Sequence, residues 1–118
     1  MTESKPLVLI VEDDPLQRIG LAESLRVSGV DVIECESAEA GELVLARTGL
    51  ELSLLVTDQN LSGASSGVDL AMFALQHFPR LPVLLVSGDE DVRVPDNVVF
   101  LRKPFRPADV MRHVSSVH

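Results

Sequence analysis

Six residues of this sequence can be assembled into one piece of chemistry: Glu12, Asp13 and Asp14 in a run, Asp58 alone, then Ser87 and Lys103. Carboxylates brought close together repel one another, at a cost of roughly a few kcal/mol per pair at intermediate dielectric. A hard divalent cation relieves that repulsion, and Mg²⁺ typically takes one or two carboxylates while keeping several waters. One carboxylate of such a group can then attack an activated phosphoryl group, as in enzymes that form aspartyl phosphates. A lysine ammonium neutralises charge on the transferring oxygens, and a serine hydroxyl donates to one of them. The parts of an aspartyl phosphorylation site are therefore present, and whether they meet depends on the elements that carry them.

Four short apolar runs, Leu7–Val11, Leu54–Val56, Val83–Val86 and Val98–Leu101, are continuous rather than alternating, and a fifth, Val30–Cys35, is interrupted by Asp31 and Glu34. Runs this short and unbroken read as parallel strands covered on both faces. Helical spacing fills the intervals. Leu16, Ile19, Ala22 and Leu25 fall on one stripe, and Leu43, Ala46 and Leu50 on another. Asp14-Pro15 opens the first helix and Ser28-Gly29 stops it. Ser37 caps the second, with Glu39 and Glu42 early, Arg47 late and Gly49 at its end. A third helix is predicted over Val68–Phe78, closed by Pro79, and a last one over Pro107–Val117. Gly88–Asn97, with its Gly and Pro95, has room for about two helical turns at most, so a shortened or irregular fourth helix is predicted there.

Strand alternating with helix predicts an α/β fold: a doubly wound, five-stranded parallel sheet with right-handed crossovers and helices on both faces. The 118 residues are read as a single domain, 1–118. Ligands of such sheets bind beyond the carboxyl ends of the strands, where the strand order reverses. Glu12-Asp13-Asp14 follow the first strand, Asp58 the third, Ser87 the fourth and Lys103 the fifth, so they converge on one rim. The second strand ends at Cys35-Glu36 and offers little.

Composition removes other classes. A net charge of −8 repels phosphate backbones, which argues against direct nucleic-acid binding. With aromatic content of 3% and no Trp or Tyr, platforms for stacking bases are lacking. The apolar runs are far shorter than the roughly 18 residues of a membrane span, and the first residues lack the order of a signal peptide. The chain is therefore expected to be cytoplasmic. The lone Cys35 reads as a small buried hydrophobe, and His77, His113 and His118 show no metal-ligand spacing.

In this order and at these strand ends, Val11-Glu12-Asp13-Asp14-Pro15, Asp58, Ser87 and Lys103-Pro104-Phe105 resemble the receiver domain of bacterial response regulators. That is the CheY-like, flavodoxin-like fold with strand order 2-1-3-4-5, and the resemblance runs from Leu7 to about Val117. It implies that Asp58 accepts a phosphoryl group from a histidine kinase or phosphotransfer protein. It implies Mg²⁺ held by Asp13 and Asp58, by Glu12 through water, and by the Asn60 backbone carbonyl. Ser87 and Lys103 would bind phosphoryl oxygens, with the Lys103–Pro104 bond cis, and Ser87 and Phe100 would couple the site to a downstream protein partner. Asp14 reads as a helix cap. The domain would catalyse only its own phosphorylation and dephosphorylation, and would not be an enzyme otherwise.

Three departures stand out. Ser62 follows Leu61 where the family usually has Pro, in a loop through Gly67 slightly longer than usual. The fourth-helix region is truncated, and Phe100 stands where Tyr is common. With six residues before the first strand and nothing after the last helix, a stand-alone receiver with no output domain is expected, its start native at Met1. The alternative is an adaptor of the same fold that binds partners without phosphorylation. A phosphatase with a nucleophilic Asp would place a second Asp where Asn60 stands, and a flavin site would want a phosphate-cradling loop after the first strand. Singly, Asp58 could be a turn residue, Lys103 a surface charge and Phe100 a core aromatic.

Overall fold

The computed structural model describes residues 5–114. Five strands, β1 (Leu7–Val11), β2 (Asp31–Cys35), β3 (Leu54–Asp58), β4 (Val83–Ser87) and β5 (Val99–Arg102), form one parallel sheet in the order β2-β1-β3-β4-β5. Between and after them run α1 (Pro15–Val27), α2 (Ala38–Thr48) with a 3₁₀ turn at Gly49–Glu51, α3 (Gly67–His77) and α4 (Pro107–Met111). Successive strand side chains point to opposite faces, which divides the interior in two. Leu9, Val11, Leu55 and Val83 pack toward Leu45 of α2 and Leu70 and Ala74 of α3. Val8, Ile10, Val56 and Leu84 pack toward Ala22 and Leu25 of α1 and Val110 of α4. Every residue of β3 and β4 is buried, which is why those strands read as unbroken apolar runs.

Both central strands run further than their apolar residues. Thr57, Asp58 and Ser87 belong to the sheet and are buried although polar, and β5 lies one residue later than predicted. The helix starts follow their caps. Asp14 Oδ1 accepts from the Leu16 amide at 2.9 Å, and Ser37 Oγ from the Ala40 amide at 3.1 Å. Ser66 and Asp69 close a reciprocal capping box that starts α3 one residue before the predicted Val68. Gly29, at φ 99°, takes the left-handed turn that releases α1 toward β2.

Four expectations are corrected. On α1 the docking face is Arg18, Ala22 and Leu25, while Leu16 is 84% exposed and Ile19 also faces solvent. Arg18 takes the inward position because the rim supplies partners for its guanidinium. On α2 the docking face is Ala38, Gly41 and Leu45, leaving Leu43, Ala46 and Leu50 outside, Leu50 at 92% exposure. Small residues are needed there, since a Cβ on Gly41 would already lie 3.0 Å from Leu70 Cδ2. No helix forms between β4 and β5. Residues 88–98 run as irregular chain ending in a turn at Asp96-Asn97, where Val98 donates to the Pro95 carbonyl at 3.3 Å. Pro95 and the adjacent Asp89, Glu90 and Asp91 leave that short span little helical tendency. The last helix stops at Met111, with residues 112–114 non-helical, and the rest of the predicted span, residues 115–117, lies with His118 outside the described residues.

Candidate functional site

The rim at the carboxyl ends of β1, β3 and β5 gathers Glu12, Asp13, Asp58 and Lys103. Glu12 directly follows β1, and its amide extends the pairing with β2 by donating to the Cys35 carbonyl at 3.0 Å. Its own carbonyl accepts from Arg18 Nη1 at 3.0 Å, and Arg18 is in turn paired with Glu34 at 3.3 Å and Glu36 at 3.5 Å. The end of β2 therefore does contribute: it holds the arginine that fixes the backbone where the acidic run begins. Turning into α1, the Asp14 amide donates to Glu12 Oε2 at 3.2 Å.

Lys103 ties the rim together. Its backbone amide continues the β4–β5 pairing by donating to the Ser87 carbonyl at 2.9 Å, and the Lys103–Pro104 bond is cis. Its Nζ lies 2.9 Å from Glu12 Oε1, 3.0 Å from Asp58 Oδ1 and 2.8 Å from Gln17 Oε1. Glu12, Asp13 and Asp58 each present a carboxylate oxygen, and these lie within 4.8 Å of one another. An all-oxygen, carboxylate-rich donor set of this kind fits a hard cation such as Mg²⁺ better than a soft one.

Burial works against this charge. It pushes the Asp58 carboxyl above its ordinary range, with the Asp13 charge adding to the rise and the Lys103 hydrogen bond opposing it. Burial likewise raises Glu12, against the bond from Lys103. For Lys103, burial pulls downward, but its bonds to Glu12 and Asp58 and their negative charge outweigh it and hold the ammonium above its ordinary value. Asp14, exposed, is held below its range by hydrogen bonds from the Gln17 side chain and from backbone amides of the first turn. It serves as the cap of α1.

The remaining expected residues are placed around this centre. Ser87 is fully buried, and its Oγ accepts from the Asp89 amide at 3.0 Å. Asn60 uses its side chain to donate to Asp89 Oδ2 at 3.0 Å. Phe100 is half-buried on β5 beside Leu85, two residues from the Arg102 that is paired with Ser87, so it shares a sheet face with Ser87.

Sequence reasoning missed four participants: Arg18, Gln17, Ser62 and Asp89. Arg18 carried a signal, a charge spaced four and seven residues before the apolar Ala22 and Leu25. Gln17 carried a weaker one, three residues after the cap. Ser62 was noted only as a departure, yet its Oγ donates to Asp13 Oδ2 at 3.3 Å. Gly67 also matters here, because a Cβ at this position would collide with the Asp58 carbonyl. Only glycine lets α3 start against the backbone of Asp58.

Comparison with known proteins shows the family and the fold. The sequence profile described as "Response regulator receiver domain" matches residues 8–115. The chain is similar to the response regulator protein FleR of Pseudomonas aeruginosa, 39% identical over 81 residues, covering 69% of this chain and 16% of that protein. It spans 42% to 54% of four further curated relatives. Among solved structures it is similar to a response regulator receiver protein from Pseudomonas putida, at 29% identity and TM-score 0.81, covering 94% of this chain and 96% of that one. It is also similar to the receiver domain of the hybrid histidine kinase CckA, at 27% identity and TM-score 0.77, covering 90% and 93%.

Proposed function

We propose that this chain, which belongs to the response regulator receiver domain family, is a phospho-acceptor switch in which Asp58 takes a phosphoryl group from a histidine kinase or phosphotransfer protein. The observation that carries this reading is the Lys103 ammonium held 3.0 Å from Asp58 Oδ1 and 2.9 Å from Glu12 Oε1 at the sheet rim. An Asp58 oxygen attacks phosphorus, the phosphorus–nitrogen bond of the phosphohistidine breaks, and the electron pair leaves with the imidazole. Lys103 passes from Asp58 Oδ1 to a phosphoryl oxygen and offsets its charge. Asp13, Asp58, the Asn60 carbonyl and, through water, Glu12 would hold Mg²⁺, which would supply further charge neutralisation.

The readout follows from Ser87. Its Oγ accepts from the Asp89 amide at 3.0 Å, and a phosphoryl oxygen gives the hydroxyl a partner to donate to. Turning toward that oxygen opens space on the sheet face shared with Phe100, and Phe100 moves into it. The population shifts between two arrangements of the β5 and α4 face, which an unidentified downstream protein reads. Residues 1–118 form one receiver domain working in the cytoplasm, catalysing only its own phosphorylation and dephosphorylation, with no direct contact to nucleic acid. No helix among the described residues is long and apolar enough to cross a membrane.

Intact mass after incubation with a small phosphoramidate donor and Mg²⁺ tests the reading. One phosphate should add to the wild type and none to Asp58→Asn or to a chelated control. A folded, Mg²⁺-binding protein that takes no phosphate would instead establish the phosphorylation-independent adaptor, with the Ser62 contact to Asp13 as the first feature to alter.

A further inference from the structure

We propose that Gln17 is the positioning residue for Lys103, its side-chain amide bridging the Asp14 carboxylate and the Lys103 ammonium so that the ammonium stays over Asp58. The inference rests on the phospho-acceptor reading and adds a part to it. Gln17 Nε2 donates to Asp14 Oδ2 at 2.9 Å, and Gln17 Oε1 accepts from Lys103 Nζ at 2.8 Å. A carboxylate only accepts and an ammonium only donates, so a single orientation of the amide satisfies both ends. Asp14 is itself anchored as the cap of α1, its Oδ1 taking the Leu16 amide at 2.9 Å. The start of α1 thereby fixes Asp14, Asp14 orients Gln17, and Gln17 holds a lysine 86 residues away.

The ammonium donates to Glu12 and Gln17 and is ion-paired with Asp58 at 3.0 Å, so these three groups surround it. Two of those groups are carboxylates of the reacting centre: Asp58 would become the acyl phosphate, and Glu12 would help to hold the cation. Gln17 is neutral and lies outside the cation's donor set, so it alone keeps the same bond before and after transfer. It restrains the flexible four-carbon stem of Lys103 without competing for phosphate or metal. Its contribution therefore falls on charge that develops during transfer, not on the affinity for the donor.

The test measures phosphate incorporation from a phosphoramidate against donor concentration, with Mg²⁺, for wild type, Gln17→Leu and Gln17→Glu. In parallel, the ¹H–¹⁵N signal of the lysine ammonium is recorded. The sequence has two lysines, Lys5 and Lys103, so Lys5→Arg assigns the signal. Gln17→Leu should lower the maximal rate by roughly fivefold to tenfold. The half-saturating donor concentration and the melting temperature should stay unchanged, and the Lys103 signal should weaken as its protons exchange faster with water. Gln17→Glu keeps an acceptor for the ammonium but loses the donor to Asp14 and sets two carboxylates against each other, so it should recover the signal only in part and fall short of the wild-type rate. With wild type phosphorylated, an unchanged rate or an unchanged Lys103 signal in Gln17→Leu overturns the role of Gln17 and leaves the phospho-acceptor reading standing. A wild type that takes no phosphate overturns that reading and the role of Gln17 with it.

Discussion

At the residue scale, the rim is a place where charge is only partly compensated. Glu12, Asp13 and Asp58 face one another within 4.8 Å, and one ammonium serves two of them. Burial raises the Asp58 carboxyl, so its ionised form is less favourable here than in water. A neutral isostere should therefore help the metal-free fold. Asp58→Asn is expected to raise the unfolding free energy in chelator, while abolishing phosphate uptake. Urea denaturation of the two proteins checks it, and equal midpoints would mean that Lys103 already compensates Asp58 in full. Glu12 has Oε1 on Lys103 and Oε2 on the Asp14 amide, contacts that do not involve Asp58.

At the element scale, positions matter more than hydrophobicity. Beside Leu25, Leu45 and Leu70, the helices dock through small or paired residues: Ala38 and Gly41 on α2, Arg18 and Ala22 on α1, Gly67 at the head of α3. Helical periodicity picked Leu16, Leu43 and Leu50, which are large and apolar yet exposed. It cannot see that a close helix contact excludes a leucine, nor that an arginine will turn inward when Glu34, Glu36 and a carbonyl await it. Gly67→Ala tests the closest of these contacts. The obstacle is the Asp58 backbone carbonyl, which cannot rotate away as a side chain would. The substitution should destabilise by about 2 kcal/mol and weaken Mg²⁺ binding, as read by denaturation and by Mg²⁺ titration. A wild-type Mg²⁺ affinity would show that the α3 start and Asp58 can move independently.

At the scale of the whole molecule, the rim couples stability to pH. Asp58 and Glu12 have native values above their ordinary 3.8 and 4.5, so between those and the raised values the folded state binds more protons than the unfolded. Their penalty is full at neutral pH and disappears as pH falls through that window. Lys103 has the opposite charge: its stabilisation is present below 10.5 and lost as pH rises through its raised native value. The stability gap between Asp58→Asn and wild type, measured in chelator, is therefore expected to narrow as pH drops from neutral through the window. A gap constant with pH would assign it to packing rather than to charge.

Much of this molecule was legible in the chain. Short apolar runs alternating with helical stretches pointed to a doubly wound parallel sheet, because strands buried on both faces have that pattern. Polar residues just beyond four of those runs determined that Glu12, Asp13, Asp58, Ser87 and Lys103 share one rim, because parallel strands all end on the same side. The tertiary structure alone decided what joins them. Gln17 reaches Lys103 across 86 positions, Ser62 reaches Asp13 across 49, and Arg18 draws β2 to the start of the acidic run. It also decided that no helix fills the span between β4 and β5, where short length and adjacent carboxylates outweigh the family's habit. Local pattern specifies which elements form. Contacts between residues far apart in sequence depend on how those elements dock, and docking is set by volumes and unpaired polar groups that no periodicity records.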